Sequence, residues 1–84
     1  MTNTQKNLVD DAFRRLKELP GSDEIDLFSS LTGIVRIQDR ANQAAEKHTR
    51  MFCILETDDQ NDIENKVMDA FFSIREAVAH ETTV

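Results

Sequence analysis

The chain has 84 residues, a formal net charge of −6 and one cysteine. This length supports a single domain, because so short a chain buries only about 60% of the surface that its unfolded form exposes. The lone cysteine excludes a disulfide within the chain, and the acidic balance argues against a nucleic-acid binder that works by neutralising phosphates. Domains this small often complete their cores against a second chain, so we expect a protein partner.

The same features bear on location. No apolar run approaches the roughly 20 residues that span a bilayer, and no basic start followed by an apolar run indicates a secretory signal. A single cysteine is typical of a reducing compartment. We therefore expect a cytoplasmic protein that is not integral to a membrane.

A first helix is predicted over about residues 4–19, where apolar residues recur at steps of three and four. Thr2 or Thr4 can cap its start. Pro20 and Gly21 end it, because proline disfavours helical geometry in the preceding residue and glycine tolerates positive φ. The apolar stripe of this helix comprises Val9, Ala12, Phe13, Leu16 and Leu19.

A long second helix is predicted over about residues 23–56, with Ser22 as its N-cap. Its apolar seam alternates steps of four and three, which is a heptad pattern. Gly33 falls inside it, and close packing against the first helix is the favoured reason for a glycine there. The alternative is a break near Arg40 to Asn42 and a compact three-helix monomer. The seam comprises Leu27, Leu31, Ile34, Gln38, Ala41, Ala45, His48, Phe52 and Leu55.

A third helix is predicted over about residues 62–80, after a polar turn at 57–61. Asn61 and Glu64 resemble a capping box, and residues 81–84 form a frayed tail. The sequence thus predicts one all-α domain, 1–84, of three antiparallel helices. Two helical layers leave apolar seam exposed, so we expect a homodimer that completes a helical bundle.

The surplus apolar surface yields a set of interface candidates. Within it, Gln38 and His48 are interpreted as polar residues that fix helix register, with a pH-sensitive interface as the alternative for His48. Cys53 lies in an apolar run and is expected in the core, not as a nucleophile. The candidates are Phe28, Leu31, Ile34, Gln38, Ala45, His48, Phe52, Cys53, Leu55, Phe71 and Phe72.

Two charged surfaces are also predicted. A basic stripe on the second helix comprises Arg36, Arg40, Lys47 and Arg50, and an acidic patch comprises Asp58, Asp59, Asp62, Glu64 and Asp69. Each has a structural explanation: the stripe keeps a helix face solvated, and the acidic residues occupy a turn and a helix start. For the stripe, the functional alternative is a docking strip for an acidic partner or for nucleic acid. For the patch, it is an acidic surface that imitates nucleic-acid phosphates or blocks a basic site on a target protein.

No glycine-rich phosphate loop, nucleophile elbow or paired-cysteine metal motif occurs, so catalytic, cofactor and metal residues are not expected. The leading hypothesis is a non-enzymatic protein–protein interaction module, a regulator, adaptor or chaperone-like subunit that acts through helical faces. The alternative is an acidic inhibitor or antitoxin-like protein that blocks a basic or nucleic-acid-binding site on a target protein. Direct nucleic-acid binding is not expected.

Overall fold

A computed structural model describes residues 1–40 and 48–82. In chain order the elements are a helix α1 (Asn3–Leu16), three strands β1 (Ile25–Ser29), β2 (Ile34–Asp39) and β3 (Thr49–Cys53), and a helix α2 (Gln60–Thr82). The strands form one antiparallel sheet in the order β1-β2-β3. The fold is therefore α+β.

The all-α prediction is wrong, because the segment assigned to a helix over 23–56 supplies all three strands. Gly33 has φ of 94° and belongs to the β1–β2 hairpin turn, in which its N–H donates to the Ser30 carbonyl. Ser22 is a buried turn residue whose hydroxyl hydrogen-bonds the Lys17 and Leu19 carbonyls, not a helix cap. The dimeric helical bundle and the three-helix monomer are wrong for the same reason.

The helix α1 starts where its cap predicts. The Thr2 hydroxyl accepts a hydrogen bond from the Gln5 N–H, and the Gln5 side chain accepts one from the Thr2 N–H, which completes a capping box. The helix ends at Leu16, before the predicted limit, and Gly21 takes φ of 84° in the turn that follows.

The helix α2 starts at Gln60, and its start is capped by Asp59 and Asp62. Each of their carboxylates accepts a hydrogen bond from the other residue's backbone N–H, at 3.2 and 2.9 Å. The Asn61–Glu64 capping box is therefore not the one used. The helix continues through Thr82, so half of the predicted frayed tail is helical; residues 83 and 84 lie outside the described part of the chain.

The helix α2 packs on one face of the sheet, α1 packs against α2, and side chains of both helices and of the sheet form one core. Phe71, Leu16 and Ile37 are among its largest fully buried side chains. Of the described helices, neither is long and apolar enough to cross a lipid bilayer. The buried apolar residues are Val9, Ala12, Leu16, Ile25, Val35, Ile37, Ile54, Ile63, Val67, Ala70, Phe71 and Ile74.

Candidate functional site

The second face of the sheet is the candidate site. Side chains alternate between the two faces of a strand, so the register assigns each residue to one side. Arg36 pairs with Phe28 on β1 and with Met51 on β3, which places these three side chains in one row across the sheet. We call this side the open face; it comprises Asp26, Phe28, Ile34, Arg36, Gln38, Thr49, Met51 and Cys53.

One end of the open face is apolar. Five of the six exposed large hydrophobic residues in the described part of the chain lie on this face or beside its hairpin end, and they are 43% to 72% exposed. Leu55 continues the outward alternation of β3 two residues beyond its end, and Leu31 lies in the β1–β2 turn. These five residues are Phe28, Leu31, Ile34, Met51 and Leu55.

The opposite end of the open face is polar. The Arg40 guanidinium donates two hydrogen bonds to one oxygen of the Asp26 carboxylate, at 3.0 and 2.8 Å. These hydrogen bonds and the negative charge of Asp26 raise the pKa of Arg40 above its usual value. Gln38 and Thr49 pair across β2 and β3 at the same end. The face thus changes from polar to apolar along the strands.

Arg36 lies at the centre of the open face. Its guanidinium carbon is 4.5 Å from the centroid of the Phe28 ring, a distance at which a cation is attracted to an aromatic face. No carboxylate lies within ion-pair distance of Arg36 in the described ranges 1–40 and 48–82. The one carboxylate that these ranges place on the open face, Asp26, is bonded to Arg40.

A shallow depression of about 190 Å³ adjoins Arg36. The side chains of Phe28, Ile34 and Met51 supply its apolar wall, and Ser29 and Ser30 close the hairpin side. A cavity of about 150 Å³ holds a benzene molecule, so this depression is large enough for one apolar side chain. Its position next to a cation distinguishes it from a purely apolar groove.

Several interface candidates lie elsewhere. Phe71 is in the core of its own chain, Phe52 is half-buried against that core, and His48 is fully buried with Nδ1 3.7 Å from an oxygen of Asp39. Phe72 is exposed on α2. Gln38 and Cys53 are on the open face, so the assignment of Cys53 to the core is wrong. Ala45 lies outside the described residues.

The predicted basic stripe is not one face of a helix, because Arg36 lies on β2 and Arg50 on β3. Arg36 is on the open face, whereas Arg50 is on the helix-covered face and its Nε donates to the Ser73 hydroxyl at 2.9 Å. Arg40 is paired at the polar end of the open face. Lys47 lies outside the described residues.

The acidic patch is largely engaged within the chain. Asp58 pairs with Lys66, Glu64 pairs with Arg15 at 2.9 Å, and the remaining turn carboxylates cap α2. The Glu64 carboxylate raises the pKa of Arg15 through a hydrogen bond and its charge. Asp69 is exposed. Ion pairs therefore neutralise Asp58 and Glu64, whereas Asp59 and Asp62 are held by backbone N–H groups and keep their negative charge.

A second cleft, of about 380 Å³, lies between the turn after α1 and the later part of α2. Asp23, Glu24 and Asp39 line it together with Arg75. Across residues 1–40 and 48–82, no group of three potential metal ligands comes together. The described residues therefore place no metal cage in this cleft.

Sequence reasoning missed the open face because it treats β2 and its neighbours as one helix. Met51 is absent from the interface candidates, and Arg36 is assigned to a stripe of like charges. The hairpin turn is the available signal: Ser29, Ser30 and Gly33 form a polar, glycine-containing break between two runs rich in β-branched or aromatic residues.

Comparisons of the chain with models of protein families, with curated proteins and with solved structures find no match.

Proposed function

We propose that the chain is a small non-enzymatic protein–protein interaction module, a regulator, adaptor or chaperone-like subunit, that docks its partner on the open face. The supporting observation is the concentration of exposed large apolar side chains there. An antiparallel sheet with one face on the core commonly turns a polar face to water. A contiguous exposed apolar patch with a polar rim is typical of a protein interaction site.

The homodimer predicted from the sequence is the competing form of this proposal, with a second copy on the open face. Stacking two open faces would bring two Arg36 guanidinium groups into one interface. Asp26, the carboxylate that the described residues place on each face, is already bonded to Arg40. Burying an uncompensated charge costs several kcal/mol, so we favour a different protein as the occupant.

The single thiol of the chain provides a direct test, because Cys53 is exposed and lies on the open face opposite Ile34. A photoreactive cross-linker attached to Cys53 is activated in an extract of the cells that produce the protein. The matched control carries the same reagent at Asn7→Cys, an exposed position on α1, in a Cys53→Ser background.

We expect one protein to cross-link from position 53 and not from position 7. After purification, that protein should bind the unlabelled chain, and Met51→Ser should weaken the binding more than Phe72→Ser, which removes a similarly exposed apolar side chain from α2. A product of two copies would identify the homodimer instead. Equal cross-linking from both positions, or equal effects of the two substitutions, would contradict docking on the open face.

A further inference from the structure

We propose that the open face binds one amphipathic helix of a partner protein, which places a carboxylate on Arg36 and an apolar side chain in the adjoining depression. This inference rests on the proposed function and specifies the chemistry of the occupant. Three features support it: the surroundings of Arg36, the backbone hydrogen bonds that a segment on a sheet face must make, and the dimensions of that face.

Arg36 requires a negative partner if it is covered. Its guanidinium is restrained against the Phe28 ring, and Met51 is its neighbour on the other side. A docked segment would remove water from this group, and an unneutralised buried cation is strongly unfavourable. A carboxylate removes that penalty and can accept two parallel hydrogen bonds from a guanidinium. The partner must therefore supply an aspartate or glutamate, although it need not be acidic overall.

A single segment that covers the face satisfies its backbone best as a helix. In the sheet, the backbone N–H and C=O groups of the central strand β2 are paired with β1 and β3, so the open face has no backbone groups to offer a docked chain. A segment lying across the face must satisfy its own backbone hydrogen bonds, and an α-helix does so internally.

The dimensions of the open face fit one helix. Three strands spaced about 4.8 Å apart place the outer strand axes roughly 10 Å apart, and a helix with its side chains is about 10–12 Å across. The depression beside Arg36 has room for one apolar side chain. An apolar residue and a carboxylate three or four positions apart on the helix would reach the depression and the guanidinium together.

A charge-reversal selection tests this chemistry on the intact chain. The probe is a display library of helical peptides of about 14 residues, long enough to cross the sheet. One face of each peptide carries leucine or phenylalanine, and the adjacent positions are randomised. The library is selected in parallel against the wild-type protein, Arg36→Glu and Arg14→Glu. The last variant makes the same change of net charge at an exposed site on α1.

We expect the wild-type protein and Arg14→Glu to select Asp or Glu beside the apolar stripe, and Arg36→Glu to select Lys or Arg there. For a selected carboxylate peptide, Arg36→Gln should lower the affinity about 10-fold or more, because hydrogen bonds to charged groups are the stronger class. The same peptide with Gln in place of its carboxylate should lose less than about twofold between wild type and Arg36→Gln. If Arg36→Glu fails to fold, the affinity comparison with Arg36→Gln still tests the inference.

Two results would overturn the inference. In the first, Met51→Ser weakens peptide binding, but the wild-type protein and Arg36→Glu select peptides with the same charge preference. That result would show a docking face without carboxylate recognition, and the proposed function would stand. Peptides that bind equally to wild type and Met51→Ser, or a second copy that occupies the face during sedimentation, would remove the open face as the site of a partner helix.

Discussion

The ammonium group of Lys66 lies 2.5 Å from an oxygen of the Asp58 carboxylate, and this pair joins α2 to the turn that leaves β3. The same carboxylate accepts a hydrogen bond from the Leu55 N–H at 2.8 Å. The hydrogen bond from Lys66, followed by that from Leu55, lowers the pKa of Asp58 below its usual value. A carboxylate in a turn thus contributes to the fold that carries the open face.

The lowered pKa of Asp58 predicts a pH dependence of stability. Because the folded pKa is below the unfolded one, this contribution is fully present above the unfolded pKa of about 3.9 and is lost as the pH falls through the folded pKa. We expect Asp58→Asn to unfold at lower urea concentration than wild type near pH 6, and the difference to shrink as the pH falls below about 4. Urea unfolding followed by circular dichroism over this range measures it.

The control for removing one negative charge is Asp69→Asn, at an exposed position on α2. If the urea midpoints of wild type and Asp58→Asn stay equally far apart from pH 6 to below pH 4, the Asp58–Lys66 ion pair does not set the pH dependence of stability.

Two adjacent phenylalanines on α2 should differ sharply in their effect on stability. Phe71 is 1% exposed and Phe72 is 55% exposed, although their ring centroids are 5.4 Å apart. We expect Phe71→Ala to lower the free energy of unfolding by about 3–5 kcal/mol, because it opens a cavity in the core. Phe72→Ala should cost less than about 1 kcal/mol. Chemical denaturation of both variants measures the two free energies of unfolding. Similar losses of stability would place Phe72 in a buried interface.

The Gln5 side chain links α1 to the segment after β3. Its amide nitrogen lies within hydrogen-bonding distance of three carbonyls, those of Leu55 at 2.8 Å, Asp58 at 3.3 Å and Glu56 at 3.4 Å. Gln5→Glu removes the donor and sets a carboxylate against carbonyl oxygens, so we expect a loss of about 2–3 kcal/mol in thermal or urea unfolding at pH 7.

The comparison for Gln5→Glu is Thr2→Ala, which removes the hydroxyl that accepts from the Gln5 N–H and should cost about 1 kcal/mol. A Gln5→Glu variant no less stable than Thr2→Ala would show that the long-range hydrogen bonds contribute little.

The terminal helices could be predicted because local signals decide them. Thr2 caps α1, Pro20 and Gly21 follow its end, and a run of acidic residues accompanies the start of α2. Such signals act within one or two turns and do not depend on what the chain meets later in folding. The core positions Val9, Leu16 and Ile63 follow from the same helical spacing.

The middle of the chain could not be predicted because both faces of its strands carry apolar residues. On β2, Ile34 faces outward while Val35 and Ile37 face the core, and the inward position after Ile37 is the acidic Asp39. Period-two alternation is therefore hidden, and the remaining residues fit steps of three and four by coincidence. Apolar residues on both faces conceal the strand in the sequence, and the outward ones make the open face apolar. The fold and the site therefore escape prediction for the same reason.

Gly33 should be the most sensitive position of the β1–β2 turn. Its φ of 94° is strained for any other residue, and an added Cβ would lie 3.1 Å from the Ile54 carbonyl oxygen. The Gly33 carbonyl also accepts a hydrogen bond from the Ile54 N–H at 2.7 Å, which ties the turn to the end of β3. We expect Gly33→Ala to lower the free energy of unfolding by about 1–3 kcal/mol, measured by urea denaturation.

Two further substitutions separate backbone strain from crowding. Asparagine tolerates positive φ better than alanine. Gly33→Asn should therefore relieve the backbone strain, while its Cβ still crowds the Ile54 carbonyl oxygen. Gly21→Ala has similar strain at φ of 84°, but its Cβ would meet the Arg75 side chain, which can move. If crowding against backbone matters, Gly33→Ala is the more damaging of the two alanines. Equal losses, fully reversed by Gly33→Asn, would assign the whole effect to the torsion angle.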